Sequence, residues 1–503
     1  MTVRVRRRAR ALAAATLLAV ITPALAVAHG ELKSSRPAAG SRLTVAPREI
    51  RLEFNEPPEL AFTSAVLLGP DGTAVALDSL RPSADSPRVV VAAIRGALSA
   101  GQYAIMWTMG GADGHPVRGR VRFTILDDAS GLGVAMQPRV APPSSDPTPA
   151  EGADHPGMEQ LDMTAPPAFG AESWGYVAIR WIQFTSLVII LGAVAFHAIV
   201  LGVLRRRATP SAAMIPPANA GAATLALWAT MALAISALLR VVAQSYAIHG
   251  AGNALNASML TGMVTQTAWG LGWLAQLPAL ALAVAGFARA RRRSSNGWHL
   301  ATVGAVLLAF TPALSGHAMS APRLVGLAVV ADAMHVTSAG GWLGSLLLVI
   351  AVGLPAAATL PEGERRAAVV ELVNAFSISA LVFATAAATT GVFAAWLHLE
   401  SVAALWTTSY GQTLLVKLGV LSGVAAVGAY NWRVVKPSLH VAEGESRLRR
   451  SAKVELAIGL VVLLVTAVLV ATPPTDGSTV EGTFTPVSLR EGGPVSVSPA
   501  AMP

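Results

Sequence analysis

The chain has 503 residues, 53% of them hydrophobic, and a mean hydropathy of +0.55, which is too apolar for an ordinary soluble protein and places most of it in a membrane. Its formal net charge of +9 does not point to nucleic acid, because the basic residues gather in short segments between apolar stretches and act as topology signals. Cysteine is absent, which excludes disulfides, zinc–thiolate centres and thiol nucleophiles and leaves His, Met, Asp or Glu to hold any metal.

Residues 1–28 read as a signal peptide. A basic start (Arg4, Arg6, Arg7, Arg8, Arg10) precedes an apolar run from Ala11 to about Pro23 and a small-residue cleavage site, Ala26-Val27-Ala28. The run is shorter than the roughly 20 residues a span requires. Cleavage would start the mature chain at His29 and free an α-amino group on the same residue as an imidazole, so that both can chelate one metal ion.

From His29 to Leu126 the pattern is that of short strands with period-two alternation: Ile50, Leu52, Phe54; Val89, Val91; Tyr103, Ile105, Trp107; Val121, Phe123, Ile125. Turn signals such as Gly69-Pro70-Asp71-Gly72 separate them, and a small all-β sandwich or barrel is expected. The segment Ala112-Asp113-Gly114-His115-Pro116 falls in the loop between the last two strands. Copper(II) favours a tetragonal set of nitrogen and oxygen donors. The His29 amine and imidazole, the His115 imidazole and the Asp113 carboxylate make up such a set.

This region resembles the CopC family of periplasmic copper-binding proteins. The matching stretches are His29-Gly30 with Leu32 through Pro37, Leu52 through Pro57, and Gly101-Gln102-Tyr103 through Val117. The resemblance implies a cupredoxin-like Greek-key sandwich over 29–126 and carries His29, Asp113 and His115 over as copper(II) ligands. The chain departs from family members that have a Met-rich loop for copper(I), having only Met106 and Met109 in this region.

Residues 127–172 are rich in Pro, Ser, Ala, Gly and Asp and are expected to be a disordered linker. Its His155, Met158 and Met163 read as chance residues of a solvated tether. Eight apolar stretches follow, near 174–204, 219–246, 264–288, 298–316, 324–353, 368–397, 411–435 and 454–472, giving a membrane domain over 173–472 and a tail over 473–503. The fourth is the weakest, being short and carrying Pro312. Alternate loops hold Arg205 to Arg207, Arg289 with Arg291 to Arg293, Arg365 with Arg366, and Arg433 through Lys453, whereas the other inter-helix loops hold Arg323. That asymmetry predicts a multi-pass protein of the plasma (inner) membrane with the β-domain and the C-terminal tail both extracytoplasmic.

The stretch from about Ala333 to Pro437 resembles the CopD family of copper-resistance membrane proteins. The carrying segments are His335 through Gly340-Gly341-Trp342-Leu343-Gly344, Phe376 with Thr390-Gly391, Trp396-Leu397, Ser409 through Lys417, and Ala429-Tyr430-Asn431, with Ser315-Gly316-His317-Ala318 upstream. The whole chain then resembles a CopC–CopD fusion, which implies copper import or resistance.

Ionisable groups inside a bilayer persist only if paired or used. Asp332 and His335, three residues apart, share a helix face near mid-bilayer; they form either a copper or proton relay, or a structural pair in which Asp332 neutralises Arg240 or Lys417. His249, His317 and His398 lie near outer helix ends, His317 beside the thioether of Met319, while His197 near an inner end reads as packing. The expected membrane path is His317, His335 and Asp332. The reading that follows is a non-enzymatic protein that captures copper(II) outside and passes copper inward, with copper(I) in the membrane domain. Its partners are copper ions, the lipid bilayer and periplasmic or extracellular copper carriers, and not nucleic acid. No Walker sequence for ATP is present. The alternatives are a copper-dependent oxidative enzyme, since a histidine brace also serves the lytic polysaccharide monooxygenases, and a membrane haem-containing metal reductase.

Overall fold

The computed structural model describes residues 32–111, 114, 116–127, 173–207, 210–250, 252–316, 318–319, 321, 324–399, 401–440 and 443–472. The expected signal peptide, the linker with His155, Met158 and Met163, and the C-terminal tail lie outside the described residues, as do His29, Asp113, His115 and His317.

Residues 32–126 form nine strands: β1 Leu32–Arg36, β2 Arg42–Leu43, β3 Glu49–Phe54, β4 Ser64–Leu68, β5 Ala74–Val75, β6 Arg81–Pro82, β7 Val89–Ala93, β8 Gly101–Gly110 and β9 Pro116–Ile125. They build two sheets, ordered β1-β3-β7-β6 and β2-β9-β8-β4-β5, and so make the expected sandwich. The alternation in β3 has its predicted effect: Ile50, Leu52 and Phe54 are fully buried while the residues between them are half-exposed. With Tyr103, Ile105, Trp107, Val121 and Phe123 they form one core, each large side chain contributing about 1.5–3 kcal/mol by leaving water. In β7 the expected face is the wrong one: Val90 and Ala92, paired with Leu52 and Ile50, join this core, while Val89 and Val91, which the alternation singled out, are buried on the opposite face of the strand. Met106 and Met109 are buried strand residues of β8.

The remainder contains eight helices long and apolar enough to cross a membrane: α1 Trp174–Arg207, α2 Ser211–His249, α3 Ala268–Arg291, α4 Asn296–Leu314, α5 Val325–Ala357, α6 Glu362–His398, α7 Ser409–Val435 and α8 Gly444–Leu469. Several are longer than their apolar stretches. α6 and α8 begin with charged turns, in which Glu445 accepts hydrogen bonds from Arg365 at 2.9 Å and from Arg449 at 2.9 Å; apolarity marks the span and not the helix. α3 starts later than expected because a short separate helix, Ala257–Gln266, precedes it and Thr267 caps the new start, its hydroxyl accepting from the Gly270 amide at 2.9 Å. α4 survives Pro312: the Leu308 carbonyl, four residues earlier, accepts a hydrogen bond from the Thr311 hydroxyl at 2.8 Å.

Small residues set the closest helix crossings. A Cβ on Gly344 of α5 would lie 2.1 Å from the Val188 carbonyl oxygen of α1, and one on Gly192 of α1 would lie 2.3 Å from the Gly344 backbone. The two backbones touch there. Just at this crossing α5 is locally π-helical over Gly340–Gly344, a widening seen again at Val349–Gly353, at Phe196–Val200 in α1 and at Asn431–Val435 in α7. The arginines Arg205–Arg207, Arg289 and Arg291 stand at the C-terminal ends of α1 and α3.

Candidate metal site and its mounting on the helices

Strands β8 and β9 form a hairpin whose last pair is Gly110 with Pro116, so the segment bearing Asp113 and His115 is the hairpin loop. Gly114, between them, has φ of 77° and donates its amide to the Gly111 carbonyl at 2.9 Å. That left-handed backbone favours glycine. Space gives a second reason, since a Cβ there would meet the Trp269 ring at 2.8 Å.

The loop is clasped by the helices. Gln244 of α2, only 3% exposed, donates its side-chain amide to the Gly114 carbonyl at 2.7 Å, and its own carbonyl oxygen accepts from the hydroxyl of Tyr176 in α1. Three further contacts surround this one. Arg118 of β9 donates to the Ala247 carbonyl in the last turn of α2 at 3.0 Å. Glu59 accepts from the Ala268 amide, the first residue of α3, at 3.2 Å. Phe62 meets Trp269 edge-on, ring centroids 6.5 Å apart, within an apolar cluster that includes Met263 and Trp273. The β-domain thus presents a cation to a helix C-terminus and an anion to a helix N-terminus, complementing the partial charge and unpaired backbone groups at each. Desolvation in this joint holds the Arg118 guanidinium below its usual pKa.

None of these docking residues stood out in the sequence. The available signal was Gln244 itself, an amide one turn after Arg240 in a largely apolar span, with Tyr176 opposite it.

Deeper in the helices, His335 shares its Nδ1 between the Ala387 carbonyl at 3.0 Å and the Thr390 hydroxyl at 3.1 Å, both on α6. A Cβ on Gly391 would stand 3.3 Å from the imidazole, so glycine there lets α6 close on the ring. Lys417 of α7 lies within electrostatic reach of both His335 and Asp332, and Asp332 within reach of Tyr410. Arg240 is occupied elsewhere: it donates to the Ser315 hydroxyl at 3.0 Å and carbonyl at 2.9 Å and sits 5.2 Å from the centre of the Trp269 ring. Of the two counter-ions weighed for Asp332, Lys417 is the neighbour. Segments quoted for the CopD resemblance, Thr390-Gly391, Tyr410 and Lys417, therefore converge around Asp332 and His335.

The remaining histidines divide. His197 stacks flat on Trp298, centroids 4.0 Å apart, and pairs with the Asn219 side chain at 2.7 Å, which agrees with packing. His398 places Nδ1 2.8 Å from the Ala394 carbonyl of its own helix. His249 ends α2 with a buried Nε2 that has no hydrogen-bond partner among the described residues. Among those residues no three His, Asp or Glu side chains converge as a metal cage.

Comparison with known proteins divides the chain the same way. The CopC domain model matches residues 32–126, the model for the N-terminal domain of copper resistance protein D-like proteins matches 171–326, and that for copper resistance protein D matches 370–469. The resemblance from about Ala333 to Pro437 overlaps the last of these, while Asp332, His335 and Gly340–Gly344 fall between the two membrane matches. The chain is 26% identical over 489 residues to the copper transport protein CutJ of Bacillus subtilis, covering 96% of this chain and 81% of that one. It is 32% identical over 111 residues to copper resistance protein C of Pseudomonas syringae pv. tomato, covering 21% of this chain and 87% of that one. Among solved structures, PcoC, a methionine-rich copper resistance protein from Escherichia coli, is 36% identical, with 20% of this chain and all of that one covered at a TM-score of 0.18.

Proposed function

Because the chain belongs to the copper-resistance family, as a CopC domain joined to a membrane domain of the copper resistance protein D type, we propose that it captures copper(II) outside the bilayer and passes copper inward. The observation that carries this reading is the clasp. The hairpin loop of the β-domain is held by Gln244 and Trp269 at the end of a helix bundle, an arrangement suited to moving what the loop binds and superfluous in a soluble store.

In this reading His29, Asp113 and His115 hold copper(II), with the amine and imidazole of a processed His29 as one chelate. The β-domain sits at the ends of α2 and α3 remote from Arg205–Arg207, Arg289 and Arg291. Under the charge rule that supports an extracytoplasmic β-domain. Asp332, His335 and Lys417 supply polar groups within the bundle, with His317 as an outer ligand. The CutJ relative is called a copper transport protein, which favours transport over storage.

The test is cell-associated copper in cells with and without the gene, at low and at high external copper. Gene-dependent accumulation supports inward passage. Equal copper contents, or a gene-dependent decrease, would reject it.

A further inference from the structure

We propose that His249 is the ligand that receives copper from the docked β-domain. This rests on the transport reading for its purpose, though not for its placement.

The last two turns of α2 run along the β8–β9 hairpin: Gln244 holds Gly114, which lies between Asp113 and His115, and the Ala247 carbonyl holds Arg118, three residues beyond His115. His249 is two residues past Ala247 and about 7.5 Å along the axis from Gln244, at about 1.5 Å per residue. It is the last residue of α2, just beyond both contacts. Its Nε2 is shielded from solvent and has no hydrogen-bond partner among the described residues. A buried polar atom in that condition is rarely tolerated without a reason. The Ser245 hydroxyl, one turn earlier on the same face, is buried and unpartnered among the same residues, even though a helical serine ordinarily returns its hydroxyl to a carbonyl of the preceding turn. By contrast, His197, His335 and His398 each engage Nδ1 with a protein oxygen. Two polar atoms left open on one face, in the last turns of the helix that clasps the loop, point to a group that occupies the place transiently. Imidazole suits copper. The step is a ligand exchange: a copper–His249 bond forms as a bond to a β-domain ligand breaks, with no electron transferred.

The experiment uses the full chain in membranes and pairs each donor with a near-isostere lacking it. His249→Leu and His249→Asn should lower gene-dependent copper accumulation by about tenfold or more, since even the loss of a group that only supports a metal ligand costs about that much. Because the exchange hands over copper(II), His249→Asp, a hard donor, should exceed His249→Asn; a gain of His249→Met, a soft donor, over His249→Leu would report copper(I) reduced before the exchange. The copper(II) EPR signal should be unchanged in the Leu variant, and a Glu59→Cys/Ala268→Cys disulfide should still form in it. Normal accumulation in the Leu and Asn variants overturns the proposal. So does failure of both donors to exceed their isosteres, and so does loss of the disulfide with the Leu change, which would make His249 a docking residue. Should the unsubstituted chain accumulate no copper, the transport reading fails and His249 is judged by acylation of purified protein with diethyl pyrocarbonate. A second equivalent of copper, the first being held by the β-domain, should slow modification of the His249 peptide; an unchanged rate overturns the assignment.

Discussion

Gln244→Leu should undock the β-domain without damaging its copper loop. The glutamine makes two hydrogen bonds in a buried position, one from its amide to the Gly114 carbonyl and one to its carbonyl from the Tyr176 hydroxyl. Leucine keeps approximate volume and strands both partners, at about 1–3 kcal/mol each. The Tyr176 cost falls on the helices in either state. The Gly114 cost is relieved when the domain lifts off and its carbonyl returns to water. Docking alone therefore weakens by about 1–3 kcal/mol, a shift of roughly 5- to 150-fold in the docked equilibrium at 1.4 kcal/mol per tenfold. Because the chain has no cysteine, Glu59→Cys with Ala268→Cys gives a clean reporter at a native contact. The initial rate of disulfide formation should drop about tenfold with Gln244→Leu, while the copper(II) EPR spectrum stays the same. An unchanged rate would show that the clasp contributes nothing to docking.

Three other outcomes are expected. An added residue before His29, or His115→Ala, should sharply weaken copper(II) binding and alter its EPR spectrum, and an unaltered spectrum would place the metal elsewhere. Asp332→Asn should lower the amount of folded protein by leaving Lys417 without its opposing charge, about 3–5 kcal/mol for a pair removed from water; addition of Lys417→Met should restore it, and low transport at normal abundance would instead make Asp332 a relay group. Gly344→Val should reduce folded protein by about 1–3 kcal/mol or more, since its Cβ would meet the Val188 carbonyl at 2.1 Å, whereas Gly326→Ala, with nothing within 4 Å, should be tolerated in a thermal-stability assay.

Much of the architecture was legible because the bilayer and the pleat leave few choices. A span needs about 20 apolar residues whatever its neighbours, so eight spans could be counted, and β3, β8 and β9 followed from side chains alternating between a core and water. The joint between the domains was not legible. Phe62, Glu59, Arg118, Gln244 and Trp269 obey no common periodicity and belong to segments far apart in the chain, so their meeting is a tertiary fact. Asp332 illustrates the intermediate case: its position three residues before His335 was evident, but Arg240 and Lys417 were equally plausible counter-ions until Ser315 and Trp269 were seen to occupy Arg240. The π-helical turns left no trace in composition, since one extra residue per turn changes the register of a helix and not its hydrophobicity.

The contact of Gly192 with Gly344 divides the bundle mechanically. Where two backbones touch, neither helix can slide without one climbing over the other's carbonyls, and close-packed interiors do not deform continuously. α1 and α5, with 61% of their most apolar stretches enclosed by protein, therefore behave as a single strut. α7 has only 6% of its corresponding stretch fully buried, and it reaches the strut through Val420 and Val424, which pack with Val188 and Leu343. Lys417 stands on α7 while Asp332 and His335 stand on α5 of the strut, so movement of α7 against the strut changes the charge beside them.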